Sequence, residues 1–279
     1  MKWQFLFLIL CFSNLSFAWP IQDRQIDSEA LSELCLALDI PQTDLIAETQ
    51  KRWLRKGGQE RWEMTELSLE QRQFVLDWAE REGLFAAWEP ALKTYQTALI
   101  LGATTSCMQK RLDTLKDLWM EGVRFEKIVW LTGERPLDSR IDGLTDRCQT
   151  ESQAARILWE ESLLPGEMQN LPVEFIAVPM KGPKRPNTED TILAWLKTNP
   201  EPGPALFVSD QPFCGYQFAI IKTNLPASFA FDVVGKGADV TIHPAAAAII
   251  LDTIARWIYQ ENLSLDAKKP GPLGAARQN

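Results

Sequence analysis

Four clusters of small and charged residues, each directly behind a short apolar run, hold the groups that could do chemistry. Gly102-Ala103-Thr104-Thr105-Ser106 closes the run 98–102, and Arg111 lies one or two turns into the helix expected next. Small residues let backbone amides approach an anion at a helix start, and an arginine there can reach a phosphate or a structural carboxylate. Thr132, Gly133, Glu134 and Arg135 end the second run, and Arg140, Asp142, Asp146 and Arg147 follow in a long loop before Glu151 opens a helix. Behind the third run come Lys181, Lys184 and Arg185, then Asn187, Thr188, Glu189 and Asp190; the fourth ends in Ser209-Asp210-Gln211. Gly102, Ala103, Arg111, Thr132, Gly133 and Glu134 are thus candidate ligand-binding residues, with Glu151, Asn187, Thr188, Asp190 and Ser209. If the chain runs a reaction, Glu151 or Asp210 is the candidate acid or base and Arg111 the group that stabilises charge. Each has a plainer role: Glu151 complements a helix dipole, Asn187 and Thr188 cap a helix, and Arg111 anchors a loop.

Composition removes several other chemistries. The chain of 279 residues carries one histidine, so a multi-histidine metal site is excluded and a histidine base could only be His243. His243 precedes Pro244 at the start of a helix, which suits a structural residue better than a base. No CxxC pair is present, so no metal is expected, and the loop after the first run is not GxGxxG, which argues against a dinucleotide; no cofactor is identified. A formal charge of -8 is the wrong sign for a nucleic-acid surface. The 11 tryptophans follow helical patterns and read as packing residues before sugar platforms.

Residues 1–18 read as a cleaved secretory signal: Lys2, an apolar stretch over 3–12, and Ser16-Phe17-Ala18 as a small-x-small end. The apolar stretch is too short to cross a bilayer and no later one is longer, so no transmembrane segment is expected and the mature protein, starting at Trp19, belongs in the periplasm or outside the cell. Beyond the signal remain Cys35, Cys107, Cys148 and Cys214. Cys35 sits among Leu31, Leu34 and Leu38 at helical spacing and reads as buried. Cys107, Cys148 and Cys214 are disulfide candidates, with Cys107 to Cys148 the favoured bridge and Cys214 the competing partner.

The elements that must position these groups change character near residue 95. Residues 19–95 read as helical: Asp27 or Ser28 caps a helix ended by Pro41, a second covers 43–55, and Ser68 with Gln71 forms a capping box for a third that Gly83 closes. Its basic cluster, Lys51, Arg52, Arg55, Lys56 and Arg61, reads as a solvated face, with a phosphate or anionic-lipid contact as the alternative. From residue 96 apolar strands alternate with amphipathic helices. Strands are expected over 98–102, 127–133, 173–180, 205–209 and 229–235, and helices over 111–120, 151–164, 188–197, 217–223 and 244–260. That alternation means an α/β Rossmann-like three-layer sandwich with a mainly parallel five-stranded sheet over residues 96–262, preceded by the helical region and followed by a loose tail, 263–279. Ligands of such sheets bind outside the carboxyl ends of the strands, where the four clusters would converge.

Taken in order, the motifs resemble the SanA/YdcF/ElyC family of bacterial envelope proteins over about residues 96–240. Leu101-Gly102-Ala103 with Arg111 stands where that family has Leu-Gly-Gly and an arginine, Thr132-Gly133-Glu134 where it has Ser-Gly-Gly, and Thr150-Glu151-Ser152 where it has Ser-Glu-Ala. The stretch from Arg185 to Thr191 is similar to its Ser-x-Asn-Thr-x-Glu-Asn, without the serine and the last asparagine. Val208-Ser209-Asp210 replaces Val-Thr-Ser, and Phe213 and Tyr216 replace a histidine and an arginine. The resemblance implies a Rossmann-like domain with a role in envelope biogenesis, and the strand-end residues point to a small anionic ligand, phosphate-bearing or nucleotide-like. The alternative is a non-catalytic interaction protein on a degenerate YdcF-like scaffold, in which the helical N-terminal region meets an envelope protein partner.

Overall fold

The computed structural model describes residues 24–55, 63–64, 67–238 and 245–268. The expected signal, Trp19, Lys56, Arg61 and His243 lie outside the described residues.

Helix α1 (Ser28–Ala37) starts where Asp27 accepts the amides of Glu29 and Ala30 at 3.0 and 2.8 Å. A 3-10 turn, Gln42–Asp44, leads into α2 (Leu45–Trp53), and α3 (Leu69–Arg81) opens on the expected capping box between Ser68 and Gln71. Gly83 follows α3 at φ 70, a left-handed conformation that glycine adopts without strain. The sheet then begins: β1 (Thr94–Leu101), α4 (Thr105–Met120), β2 (Arg124–Gly133), α5 (Glu151–Glu161), the short α6 (Gly166–Gln169), β3 (Val173–Val178), α7 (Thr188–Leu196), β4 (Ala205–Asp210), α8 (Cys214–Asn224), β5 (Phe231–Lys236) and α9 (Ala246–Lys268). Helix α9 runs past the expected boundary at 262 because no proline or glycine interrupts the sequence before Pro270.

The five strands are all parallel, in the order β3-β2-β1-β4-β5. Successive side chains of a strand point to opposite faces, so each continuous apolar run divides its burial. Ala98, Ile100, Ile128, Trp130, Leu206 and Val208 pack under α4 and α5, and Leu99, Leu101, Val129, Leu131, Phe207 and Val233 pack under α7 and α8. The chain is therefore an α/β protein with a helix-covered parallel sheet, a Rossmann-like three-layer sandwich. Outside the α7/α8 layer, α9 lies on α8, and Gly215 makes the approach possible: a Cβ there would come within 2.1 Å of the Trp257 ring. The other side of α9, with Ala247, Ile250, Leu251, Ile254 and Ile258, shares a core with Leu34, Cys35, Val75 and Trp78 of the N-terminal helices. The helical region and the C-terminal helix thus form one additional layer from the two ends of the chain.

Candidate functional site

The sheet order reverses between β1 and β4, and there α4 sends Arg111 into the crevice. Its guanidinium is 1% exposed. Nε donates to Asp210 Oδ1 at 2.6 Å, Nη2 forms an ion pair with the same oxygen at 2.5 Å, and Nη1 donates to the carbonyls of Leu101 and Gly102 at 2.7 and 3.0 Å. Burial lowers the proton affinity of this side chain, but the Asp210 carboxylate more than offsets that and raises it above the ordinary arginine range. Arg111 clamps the ends of the two strands flanking the switch point.

A second buried cluster lies one strand over. Arg135 donates through Nη1 and Nη2 to the two oxygens of Asp142, at 2.8 and 2.9 Å, and through Nε to Glu151 Oε2 at 2.7 Å. Asp142 also accepts the amides of Thr105 at 3.1 Å and Asp138 at 3.0 Å. Glu151 Oε1 accepts the Gly133 amide at 3.0 Å and lies over Gly102, where any Cβ would stand 2.2 Å from it and 2.7 Å from the Leu131 carbonyl. Glycine at 102 is thus required by a carboxylate of this chain. The two carboxyl groups shift in opposite directions. Burial raises the proton affinity of Glu151 against the pull of Arg135 and the Gly133 amide; for Asp142 burial acts the same way, but the Arg135 fork and two amides outweigh it and hold the group below the usual range.

These clusters form the floor of a cleft of about 1270 Å³ at the carboxyl ends of the strands. Gly102, Ala103, Arg111, Gly133, Glu151, Asn187, Thr188 and Asp210 line it, as the strand-end argument requires. Four other expected site residues turn away. Thr132 donates its hydroxyl to the Ile176 carbonyl at 3.0 Å, Ser209 is bonded to Gln217, Glu134 accepts from Ser152 at 2.7 Å, and Asp190 is held by the Asn187 amide and Lys181. Asn187 and Asp190 make a reciprocal capping box at the start of α7, so both work as caps even though Asn187 borders the cleft. As acid or base candidates, Glu151 and Asp210 are both engaged by guanidiniums. Phe213 and Tyr216 stand on the cleft wall, ring centroids 6.2 Å apart.

The expected bridge between Cys107 and Cys148 is not formed; Cys35, Cys107, Cys148 and Cys214 are free thiols. Cys148 Sγ turns to the Leu144 carbonyl at 3.4 Å in the long loop, while Cys107 lies in the first turn of α4. Burial raises the proton affinity of all four, that of Cys35 to about 11 and of Cys214 to about 12, so none is an activated nucleophile. Among the described residues no group of three or more His, Cys, Asp or Glu is arranged to hold a metal, and no helix is long and apolar enough to cross a membrane.

Several wall residues had no sequence signal. Lys110, Lys236, Gln50, Leu54, Ile249, Arg256 and Tyr259 come from α2 and its C-terminal end, α4, β5 and α9, far apart in the chain, and Arg55, from the basic cluster read as a solvated face with a phosphate contact as the alternative, joins them on the wall. Arg135 and Asp142 are visible as loop charges, yet only the fold buries them. With Arg111 and Arg135, nine lysines and arginines line the cleft against three carboxylates, Asp113, Glu151 and Asp210. Three of the cations are paired with carboxylates behind the wall: Arg140 with Asp138, Lys236 with Asp117 and Arg256 with Asp252.

Fold and site together define the chain as a Rossmann-like α/β protein with a cationic cleft at the carboxyl edge of its sheet. No family model, curated protein or solved structure matches it.

Proposed function

We propose that this protein binds a small anionic, phosphate-bearing ligand in the cleft at the sheet's carboxyl edge, as a divergent relative of the SanA/YdcF/ElyC proteins acting in envelope biogenesis outside the cytoplasm. What carries the reading is the charge of the cleft: nine cationic side chains line it against three lining carboxylates and four behind the wall, Asp117, Asp138, Asp142 and Asp252, so cations still exceed carboxylates in a chain whose net charge is -8. Cations gathered against the overall charge draw an anion from solution. The first turn of α4 adds the positive end of a helix dipole. The resemblance in motif order and the cleavable signal read at residues 1–18 both support the envelope assignment.

The reading is of a binding protein. Glu151 and Asp210, the candidate acid and base, are each held by an arginine, which favours ligand recognition over proton transfer. The same observation, with Phe213 and Tyr216 in the wall, favours a second reading: a non-catalytic scaffold whose α1–α3 layer meets a protein partner.

Calorimetric titration with inorganic phosphate, pyrophosphate and ADP tests the first reading. Saturable binding that weakens as salt is raised is expected, since exposed cations are screened. Absence of heat with all three at millimolar concentration would leave the scaffold reading. Intact-mass analysis of protein from native cells should show a chain starting at Trp19; retention of Met1 would remove the extracytoplasmic assignment.

A further inference from the structure

We propose that the outer edge of β3 pairs with the same edge of a second copy of this chain, antiparallel about a two-fold axis, so that one sheet runs through both copies. This interface is separate from the anion cleft and does not depend on it.

The two edges of the sheet are finished differently. Along β5 the segment ahead of β1 folds over the strand: the Trp88 amide donates to the Gly235 carbonyl at 2.9 Å, the Gly235 amide donates back to the Trp88 carbonyl at 3.1 Å, and the Ala238 amide reaches the Phe85 carbonyl at 3.0 Å. Along β3 no segment does this. The Ile128 amide donates to the Pro172 carbonyl and the Glu134 amide to the Val178 carbonyl, so the even-numbered residues are the ones whose backbone faces β2. Val173, Phe175 and Ala177 therefore turn their N–H and C=O groups outward, and among the described residues nothing meets them. Devices that usually blunt such an edge are missing. The strand holds no proline or lysine, and its one charge, Glu174, is taken by Lys127 of β2 at 2.5 Å.

What selects a second copy is that this edge complements itself. In an antiparallel ladder outward-facing residues oppose one another, so Phe175 meets its own counterpart on the axis and Val173 meets the counterpart of Ala177, each pair exchanging both hydrogen bonds. Phe175 is ordered beforehand: its ring stacks on Trp130, centroids 6.2 Å apart and planes 9° from parallel, and the Arg156 guanidinium lies 4.3 Å from its centre. The charges agree with that direction. Glu167 lies ahead of β3 and Lys184 beyond it; both are exposed, and among the described residues neither forms an ion pair. Antiparallel pairing brings the acidic end of one copy to the basic end of the other at both ends of the interface, whereas parallel pairing would bring like charges together. Apolar surface borders the same edge. Of the two helices packed on β3, α5 is followed by Leu163, 87% exposed, and α7 carries Leu193, 41% exposed.

The test is sedimentation velocity on the full chain between about 1 and 100 µM, with the dissociation constant read from the dilution series. Wild type should sediment as a dimer at the upper end and dissociate on dilution. Ala177→Pro removes an amide that points outward and none that reaches β2, a placement an edge strand tolerates; it should weaken association at least about tenfold while still melting cooperatively. Amide hydrogen exchange on wild type supplies a measurement that does not depend on the variant's folding: the amides of Val173, Phe175 and Ala177 should exchange more slowly at the concentration that gives dimer than at the one that gives monomer. A chain that stays monomeric throughout would overturn the pairing. So would a dimer of undiminished affinity in Ala177→Pro, or exchange at those three amides that ignores dimerisation, since either would place the interface elsewhere.

Discussion

The two arginines beneath the cleft use the same chemistry for different ends. Arg111 meets one carboxylate, Asp210, and two backbone carbonyls, so it joins strands that are already hydrogen-bonded neighbours. Arg135 meets two carboxylates, and one of them, Asp142, carries a long irregular loop to the start of α4. The first pair is a rivet within the sheet; the second holds a loop that has no ladder of its own. Arg135 also donates to the carbonyls of Pro136 and Ala103, so at Arg111 the guanidinium joins two strands and at Arg135 it fixes the loop that shapes the cleft.

Removing the Arg111 side chain should give the largest change. Arg111→Ala leaves Asp210 buried without its cation, a defect that costs about 3–5 kcal/mol, and the melting temperature should fall whether or not a ligand is present. A variant that melts like the wild type but loses phosphate binding would make Arg111 a ligand contact and reverse its side of the comparison. Gly102→Ala comes next, because its methyl group would meet both Glu151 and the Leu131 carbonyl. A loss of about 1–3 kcal/mol is expected, measured by denaturant unfolding, and relief of that loss in the double variant with Glu151→Ala would identify the carboxylate as the obstacle.

The two partners of Arg135 should separate in pH. The Asp142 carboxyl is depressed, so its contribution is complete above the ordinary aspartate range and is lost as pH falls through its lowered folded-state value. The advantage of wild type over Asp142→Asn should therefore shrink on acidification. Glu151 is raised, so folding favours its protonated form, and its contribution is complete below the ordinary glutamate range and declines as pH rises into the window above it. The advantage over Glu151→Gln should shrink in the opposite direction. Melting curves between about pH 3 and 8 measure both, and parallel profiles for the two variants would show that Arg135 treats its partners alike. The smallest effect is expected at the α7 cap: Asn187→Ala should lower stability by about 1 kcal/mol. A loss of phosphate affinity with stability unchanged would return Asn187 to the site.

Much of the frame could be read from local rules. The capping boxes at Ser68 and Asn187 use residues three apart, and the five apolar runs end in small or charged residues, so caps and strands were visible without tertiary information. Strand starts were less visible: β1 begins at Thr94 and β2 at Arg124 because those residues pair across the parallel ladder, and pairing is a property of two segments. At the site, Gly102, Arg111, Gly133 and Glu151 could be found from position alone, since each ends a strand or lies between it and the next. Thr132 and Ser209 end strands and Glu134 and Asp190 follow them, but which way each side chain turns depends on neighbours that the sequence does not order.

By itself the sequence determined the α/β alternation, the parallel sheet and the edge at which a cleft must lie, because periodicity, caps and continuous apolar runs act over a few residues. Only the tertiary structure decided what occupies that edge. Arg111 could have faced a ligand or a carboxylate, and it is the approach of Asp210, ninety-nine positions away, that fixed the outcome. The wall of α2 and α9 was likewise undecided, since helices from opposite ends of the chain meet there only because each has an apolar face that the sheet layers leave uncovered.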